Sequence, residues 1–330
     1  MNIRSITAFV APGWPVDPRR IEEASTCLNS TRQALQQAGY PVQTLRLATP
    51  PPAELERPVP PADRAELARQ LEAQAFVYGI DYVAIGPALP KEVGGFAAIP
   101  DILASTETVF TSGLYADSEI GVSLPAARAC AEVIDRNSRL SSDGFANLRF
   151  AALANVPAGT PFFPAAYHDG GSPALAIATE AAELAVDAFR EVSSPGTARR
   201  RLVGMIEAHA AAITRLTQPI ASEHETRWLG IDFSLAPYPE HHRSLGTALE
   251  ALGVPAVGLA GTIAAAAFLA DCLDHAQFKR TGFCGLFLPV LEDATLAARA
   301  AEGHLSIEDL LLLSTVCGTG LDTLPLPGDT

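Results

Sequence analysis

The sequence predicts a single α/β domain, and three features carry that prediction. Strand-like and helix-like segments alternate from one end of the chain to the other. The strands are short and apolar, as in parallel sheets covered on both faces. No repeat and no shift of composition marks a linker within the 330 residues, a length ordinary for one α/β barrel. Periodicity by itself leaves an open sheet and a closed barrel as equal alternatives.

Asn2 to Val10 reads as the opening strand, and Pro18 to Ala38 as a helix closed by Gly39. Val42 to Ala48 is a second strand. The prolines at 50–52 and at 58, 60 and 61 form a stiff surface connection. Arg64 to Tyr78 is helical and stops at Gly79, and Tyr82 to Gly86 is a short apolar strand. Ile99 to Phe110 is expected to be helix, with Ile120 to Val122 ending another strand. Ser123 caps the helix through Ala126 to Asp135, with Pro125 in its first turn. Leu148 to Leu153 is a strand, and Gly159 to His168 a loop lined with aromatics. Two helices are expected next, Ala174 to Val192 and Thr197 to Leu216. Trp228 to Leu235 and Phe283 to Val290 read as strands. Ser244 to Ala251, Ile263 to His275, Ala294 to Ala301 and Ile307 to Leu313 read as helices, the last capped by Ser306.

Composition narrows the functional classes. The chain is 48% hydrophobic with a net charge of −14 and a mean hydropathy of +0.19, which argues against disorder. The charge makes nucleic acid and anionic membranes poor partners. The one basic run, Arg199-Arg200-Arg201, reads as a solvated helix face. Five cysteines, Cys27, Cys130, Cys272, Cys284 and Cys317, are odd in number and form no CxxC pair. Free thiols in a reducing cytoplasm are the simplest reading. Met1 to Trp14 does not have the pattern of a signal peptide. Ala251 to Ala270 carries no charge, but its glycines and Pro255 suit a strand, a turn and a buried alanine-rich helix better than a membrane span.

Four segments could meet at strand ends, where parallel α/β folds bind ligands. The first is Gly230-Ile-Asp232-Phe-Ser234. A carboxylate amid apolar strand residues must be paired or put to use, so Asp232 is either a salt-bridge partner or a ligand-binding or acid/base group. Upstream, Glu223, Glu225 and Arg227 share one side if the segment is strand, which makes either a binding edge or a surface. The second is Gly258 to Thr262, leading into a helix. Gly261 and Thr262 there either offer backbone N–H groups to an anion or allow tight packing. The third is Phe162 to His168, where His168 is a base, a metal ligand or a structural residue. The fourth is the stretch 314–330. Gly318, Thr319 and Gly320 end a helix and can face an anion. Asp322 and Asp329 offer acid/base groups, with Asp322 a catalytic candidate, or hard oxygen ligands for a Mg²⁺- or Ca²⁺-like ion or a cationic substrate group. Cys317 is either a buried small hydrophobe or a secondary nucleophile that needs a basic neighbour, because a helix C-terminus raises a thiol's pKa. No Walker, dinucleotide, H-E-x-x-H or G-x-S-x-G motif is present, so no nucleotide cofactor is expected.

Taken together, Gly230 to Pro237, the helix start at Gly261, Gly285 to Asp293, Asn147 to His168 and the tail from Val316 resemble the uncharacterised family called domain of unknown function 711, also named UPF zero-two-ten. The resemblance covers nearly the whole chain. It implies a ten-stranded α/β barrel like that of pyruvate formate-lyase, a homodimer and, for longer members, partnership with small ACT-domain regulators. Glycyl radical enzymes carry an R-V-S-G-Y-like loop, which this sequence lacks, so no radical is expected. The expected protein is an enzyme that handles a small carboxylate-bearing metabolite by acid/base or metal-assisted chemistry. The alternative is a metabolite sensor without turnover.

Overall fold

The computed structural model describes residues 1–192, 194–316, 323 and 326. Eight strands form one sheet: β1 (Asn2–Phe9), β2 (Val42–Ala48), β3 (Tyr82–Ala84), β4 (Val109–Asp117), β5 (Gly121–Val122), β6 (Phe150–Ala154), β7 (Ala174–Glu180) and β8 (Arg227–Asp232). The helices are α1 (Pro18–Gln37), α2 (Arg64–Val77), α3 (Ile99–Ala104), α4 (Leu124–Asn137), α5 (Ala182–Phe189), α6 (Pro195–Glu223), α7 (Leu245–Ala251), α8 (Thr262–His275), α9 (Ala294–Ala301) and α10 (Ile307–Leu313).

The α/β class is as expected, and several boundaries follow from local chemistry. Asp17 caps α1 by accepting from Arg19 N–H, with Pro18 at the first helical position. Ser123 caps α4 through Ala126 N–H. Ser306 and Asp309 cap α10 reciprocally.

Three readings of the sequence are corrected. Ala174 to Val192 is not one helix, because its first seven residues form β7, buried along their whole length. Helix α3 ends at Ala104, and Val109 then opens β4, which pairs with β3 and β6. Phe283 to Val290 does not form a regular strand. Two parallel bridges, Ile231 to Arg280 and Leu235 to Leu286, lie on either side of an irregular stretch. In addition, α6 runs on through Pro219 to Glu223, seven residues beyond the expected end at Leu216.

The topology has two directions. Strands β6, β4, β3, β2 and β1 are mutually parallel. Strand β7 joins β1 antiparallel, and β8 then follows β7 in parallel. The reversal arises because residues 155–173 connect β6 to β7 without a helix, so β7 begins at the same end where β6 finishes. Among the described residues the sheet is open. One face carries Leu45, Leu47, Leu175 and Ile177 into the main core against the helices. The opposite face, called inner below, carries Phe9, Ala48, Ala84, Ala174 and Ala176 against Phe163 and Ala166.

Candidate functional site

Strand register fixes what lies on the inner face. One row runs Ala84, Ala48, Phe9, Ala174 and Arg227. The next runs Tyr82, Arg46, Thr7, Ala176 and Gly230, and the third Thr44, Ser5, Ala178 and Asp232. The residues of β1 and β7 in the second and third rows are small, which leaves room for the loop Gly159 to His168 to lie against them. That loop is pinched shut by Gly159 N–H donating to the Tyr167 carbonyl at 2.8 Å, and Tyr167 Oη donates to the Val156 carbonyl at 2.8 Å. Thr7 Oγ1 donates to the Pro161 carbonyl at 3.5 Å, and Phe163 meets Phe110 edge-on at 5.4 Å.

His168 ends this loop at the carboxyl ends of β1 and β2. Its backbone N–H donates to the Thr49 carbonyl at 3.1 Å, and its ring lies 6.4 Å from that of Phe9. The side chain is 1% exposed. Nε2 is 3.2 Å from the Ser172 carbonyl and 3.2 Å from Asp169 Oδ1. Arg227 Nη2, a donor, is also 3.5 Å from Nε2, but the two acceptors at 3.2 Å are closer and a carbonyl oxygen can only accept, which favours the proton on Nε2. Nδ1 is then a bare acceptor, and it has no hydrogen-bond partner. Burial pushes the imidazole pKa down, against the pull of the Asp169 carboxylate, and so favours the neutral ring. Arg227 holds Asp169 through Nη2, at 2.8 and 3.0 Å from its two oxygens, and donates to the Ser172 carbonyl at 3.1 Å. These bonds keep the Asp169 carboxyl below the usual carboxylate range.

Asp232 lies at the other end of β8, five residue steps or about 17 Å from Arg227. It is 1% exposed. Its carboxylate accepts from Ser234 Oγ, from Phe283 N–H at 3.1 Å and from Cys284 N–H at 2.9 Å. Ser234 Oγ accepts in turn from Gly285 N–H at 3.3 Å. Asp232 therefore takes the N–H groups that a regular ladder beyond β8 would have used, which explains the irregular stretch between Arg280 and Leu286. Gly282 makes the fit possible, because a Cβ there would stand 2.3 Å from Asp232 Oδ2. Burial raises the Asp232 pKa, against three hydrogen bonds that lower it.

The other expected site residues are spread over the molecule. Glu223 closes α6 and is exposed, so the strand alternation with Glu225 and Arg227 does not exist; β8 begins at Arg227. Gly261 and Thr262 line an apolar groove of about 520 Å³ with Leu312 and Leu313 of α10. The Thr262 hydroxyl is used within its own turn, donating to the Leu259 carbonyl at 2.7 Å and accepting from Gly258 N–H at 3.0 Å. Gly258 is a packing glycine, since a Cβ would stand 1.8 Å from the His304 carbonyl oxygen. Cys317, Gly318, Thr319, Gly320, Asp322 and Asp329 lie outside the described residues. Among the described residues, no cluster of three or more His, Cys, Asp or Glu could hold a metal ion.

Sequence reading did not single out Arg46, Ser5 or Asp169. The signal for Arg46 was present: in β2, Thr44 and Arg46 alternate with Leu45 and Leu47, which places a guanidinium on the inner face between Thr7 of β1 and Tyr82 of β3. Asp293, the last residue of the stretch starting at Gly285, has a structural part. It caps α9 through Thr295 and Leu296 N–H, both at 3.0 Å, and accepts from Ser244 Oγ at 2.6 Å and Leu245 N–H at 2.7 Å at the start of α7.

Comparison with known proteins places this geometry in a family. A family profile described as "Uncharacterised ACR (DUF711)" matches residues 1–330. A UPF0210 protein of Pyrobaculum islandicum is 32% identical, over 88% of this chain and 67% of its own length. A second, from Methanococcoides burtonii, is 29% identical over 93% of this chain and 71% of its own. One from Desulfovibrio desulfuricans is 31% identical over 88% and 69%. The match along the full length of the chain makes it a member of the uncharacterised DUF711 family, to which the sequence motifs had pointed.

Proposed function

We propose that the chain is an enzyme acting on a small carboxylate-bearing metabolite by acid/base chemistry, without a radical, at the end of the sheet where His168 lies. The observation that carries this reading is the unpartnered Nδ1 of His168, a neutral, buried imidazole lone pair. Leaving such an acceptor dry costs stability, and a substrate proton is a partner that would use it. Asp169 and the Ser172 carbonyl fix the tautomer, and Arg227 fixes Asp169. In this scheme Nδ1 accepts a proton from the substrate, and Asp169 stabilises the imidazolium that forms.

The alternative is a metabolite sensor without turnover. It is favoured by Asp232, whose carboxylate is fully engaged in holding residues 283–285. A ten-stranded barrel is part of the proposal. It is supported by five parallel strands meeting a second parallel set head to tail, with Arg280 bridging onto β8 at Ile231 and Leu286 onto Leu235 just beyond it. A cytoplasmic, homodimeric protein, a divalent ion on Asp322 and Asp329 and a small ACT-domain regulator complete the reading. The four cysteines among the described residues are buried and unpaired, which fits a reducing compartment. No helix among the described residues is long and apolar enough to cross a membrane.

The test is to incubate the protein with pooled small carboxylic acids in D₂O and follow them by proton NMR. The expected result is consumption of, or deuterium uptake into, one acid by the wild-type protein and not by His168→Gln, with both proteins folded. Binding of an acid without change in it would support the sensor. Equal turnover by His168→Gln would remove the role given to His168.

A further inference from the structure

The inner face carries a second polar anomaly, at Arg46. The residue is 9% exposed. Its guanidinium lies over the Phe163 ring at 4.9 Å and near that of Tyr82 at 5.8 Å. Its hydrogen bond to the chain runs from Nε to Thr44 Oγ1 at 2.9 Å. Among the described residues no carboxylate forms an ion pair with it. Of the carboxylates near it, Glu180 is matched by Arg243 and Arg4 and Glu292 by Arg4, while Asp81 accepts from Leu45 N–H at 2.7 Å and acts on Arg46 only at longer range. One register step away on the same face, Ser5 Oγ is fully buried and also has no partner.

A buried guanidinium with no carboxylate in ion-pair contact and a buried hydroxyl without a partner are each expensive. Their costs share one remedy, an anion that accepts from both. The two Nη groups of an arginine form a planar fork suited to a carboxylate. We propose that Arg46 and Ser5 form an anion subsite on the inner face of the sheet that takes the carboxylate of a small organic acid. This deepens the reading above, because it names the groups that would hold the anionic end of the metabolite. Burial, with Arg4 nearby, pushes the Arg46 pKa down to about 9, against the weaker upward pull of Tyr82, Asp81 and Glu292.

The experiment is thermal unfolding with acetate and malonate as probes and chloride as control at matched ionic strength. It compares the wild type with Arg46→Met and Ser5→Ala. The wild-type Tm should rise with malonate and acetate beyond any effect of chloride. Arg46→Met, which keeps the apolar stem but drops the charge, should unfold at or above the wild-type Tm without ligand and show no carboxylate response. Ser5→Ala should fold normally and bind malonate about tenfold more weakly. A carboxylate response unchanged in Arg46→Met, a wild-type response equal to that of chloride, or a large loss of ligand-free stability in Arg46→Met would each overturn the subsite. The His168 reading stands or falls separately, because deuterium exchange into substrate tests it without reference to anion-induced stabilisation.

Discussion

Asp232 and His168 are both 1% exposed and lie at opposite ends of the inner face. They differ in how their polar atoms are used. Asp232 accepts three hydrogen bonds and organises the chain beyond β8. His168 has one nitrogen locked by a carbonyl and a carboxylate and the other left without a partner. Burial alone therefore does not mark a site. A satisfied buried group is explained by the fold it builds, whereas an unsatisfied one costs free energy that the fold does not recover.

The contrast can be broken first at Asp232. Asp232→Asn changes little in shape, but its NH₂ must face a backbone N–H or the Ser234 hydroxyl in either orientation. It should lose about 3 kcal/mol or more of stability in chemical denaturation. A loss below about 0.5 kcal/mol would mean that the carboxylate does not hold residues 283–285. Asp293 belongs to the same class, since it caps two helices at once. Asp293→Ala should cost about 2–4 kcal/mol, the sum of two caps, read from the same denaturation curves.

His168 should behave in the opposite way. Its substitution by Gln removes an orphaned acceptor, so stability at neutral pH should change by no more than about 1 kcal/mol. The pH dependence sharpens the difference. The folded imidazole has a lowered pKa, so below about 6.5 the unfolded chain takes up a proton that the folded chain resists. The contribution is complete above that value and is lost as pH falls toward the folded pKa. The slope should approach about 1.4 kcal/mol per pH unit, and His168→Gln should flatten it. An equally steep acid loss in the variant would assign it to other groups.

The sequence made the first half of the sheet legible and obscured the second. Strands β1, β2 and β3 and helices α1 and α2 follow from apolar periodicity bounded by proline and glycine, as expected. Strand β7 was hidden because Ala174-Leu-Ala-Ile-Ala-Thr-Glu180 is rich in alanine, the strongest helix former. In the fold those alanines are small so that the loop ending at His168 can lie against the sheet. Missing one strand reversed the direction of the next, so Asp232 was expected at the end of the sheet where His168 lies and stands at the other. The interest of His168 was legible as an isolated imidazole after an aromatic run. Its tautomer was not, because that depends on a carbonyl four residues on. Arg46 was not legible as a site residue because the face it occupies is defined only by its neighbours Thr7 and Tyr82 on two other strands.

The protonation state of His168 decides whether the proposed site has a base. The measurement is a long-range ¹H–¹⁵N correlation spectrum of the imidazoles at neutral pH, with His168→Gln used to assign the signal. A neutral ring protonated at Nε2, with Nδ1 showing the shift of an unprotonated nitrogen and titrating below the ordinary histidine range, is the predicted result. A proton on Nδ1, or a ring charged at neutral pH, would contradict it and remove the base from the proposed site.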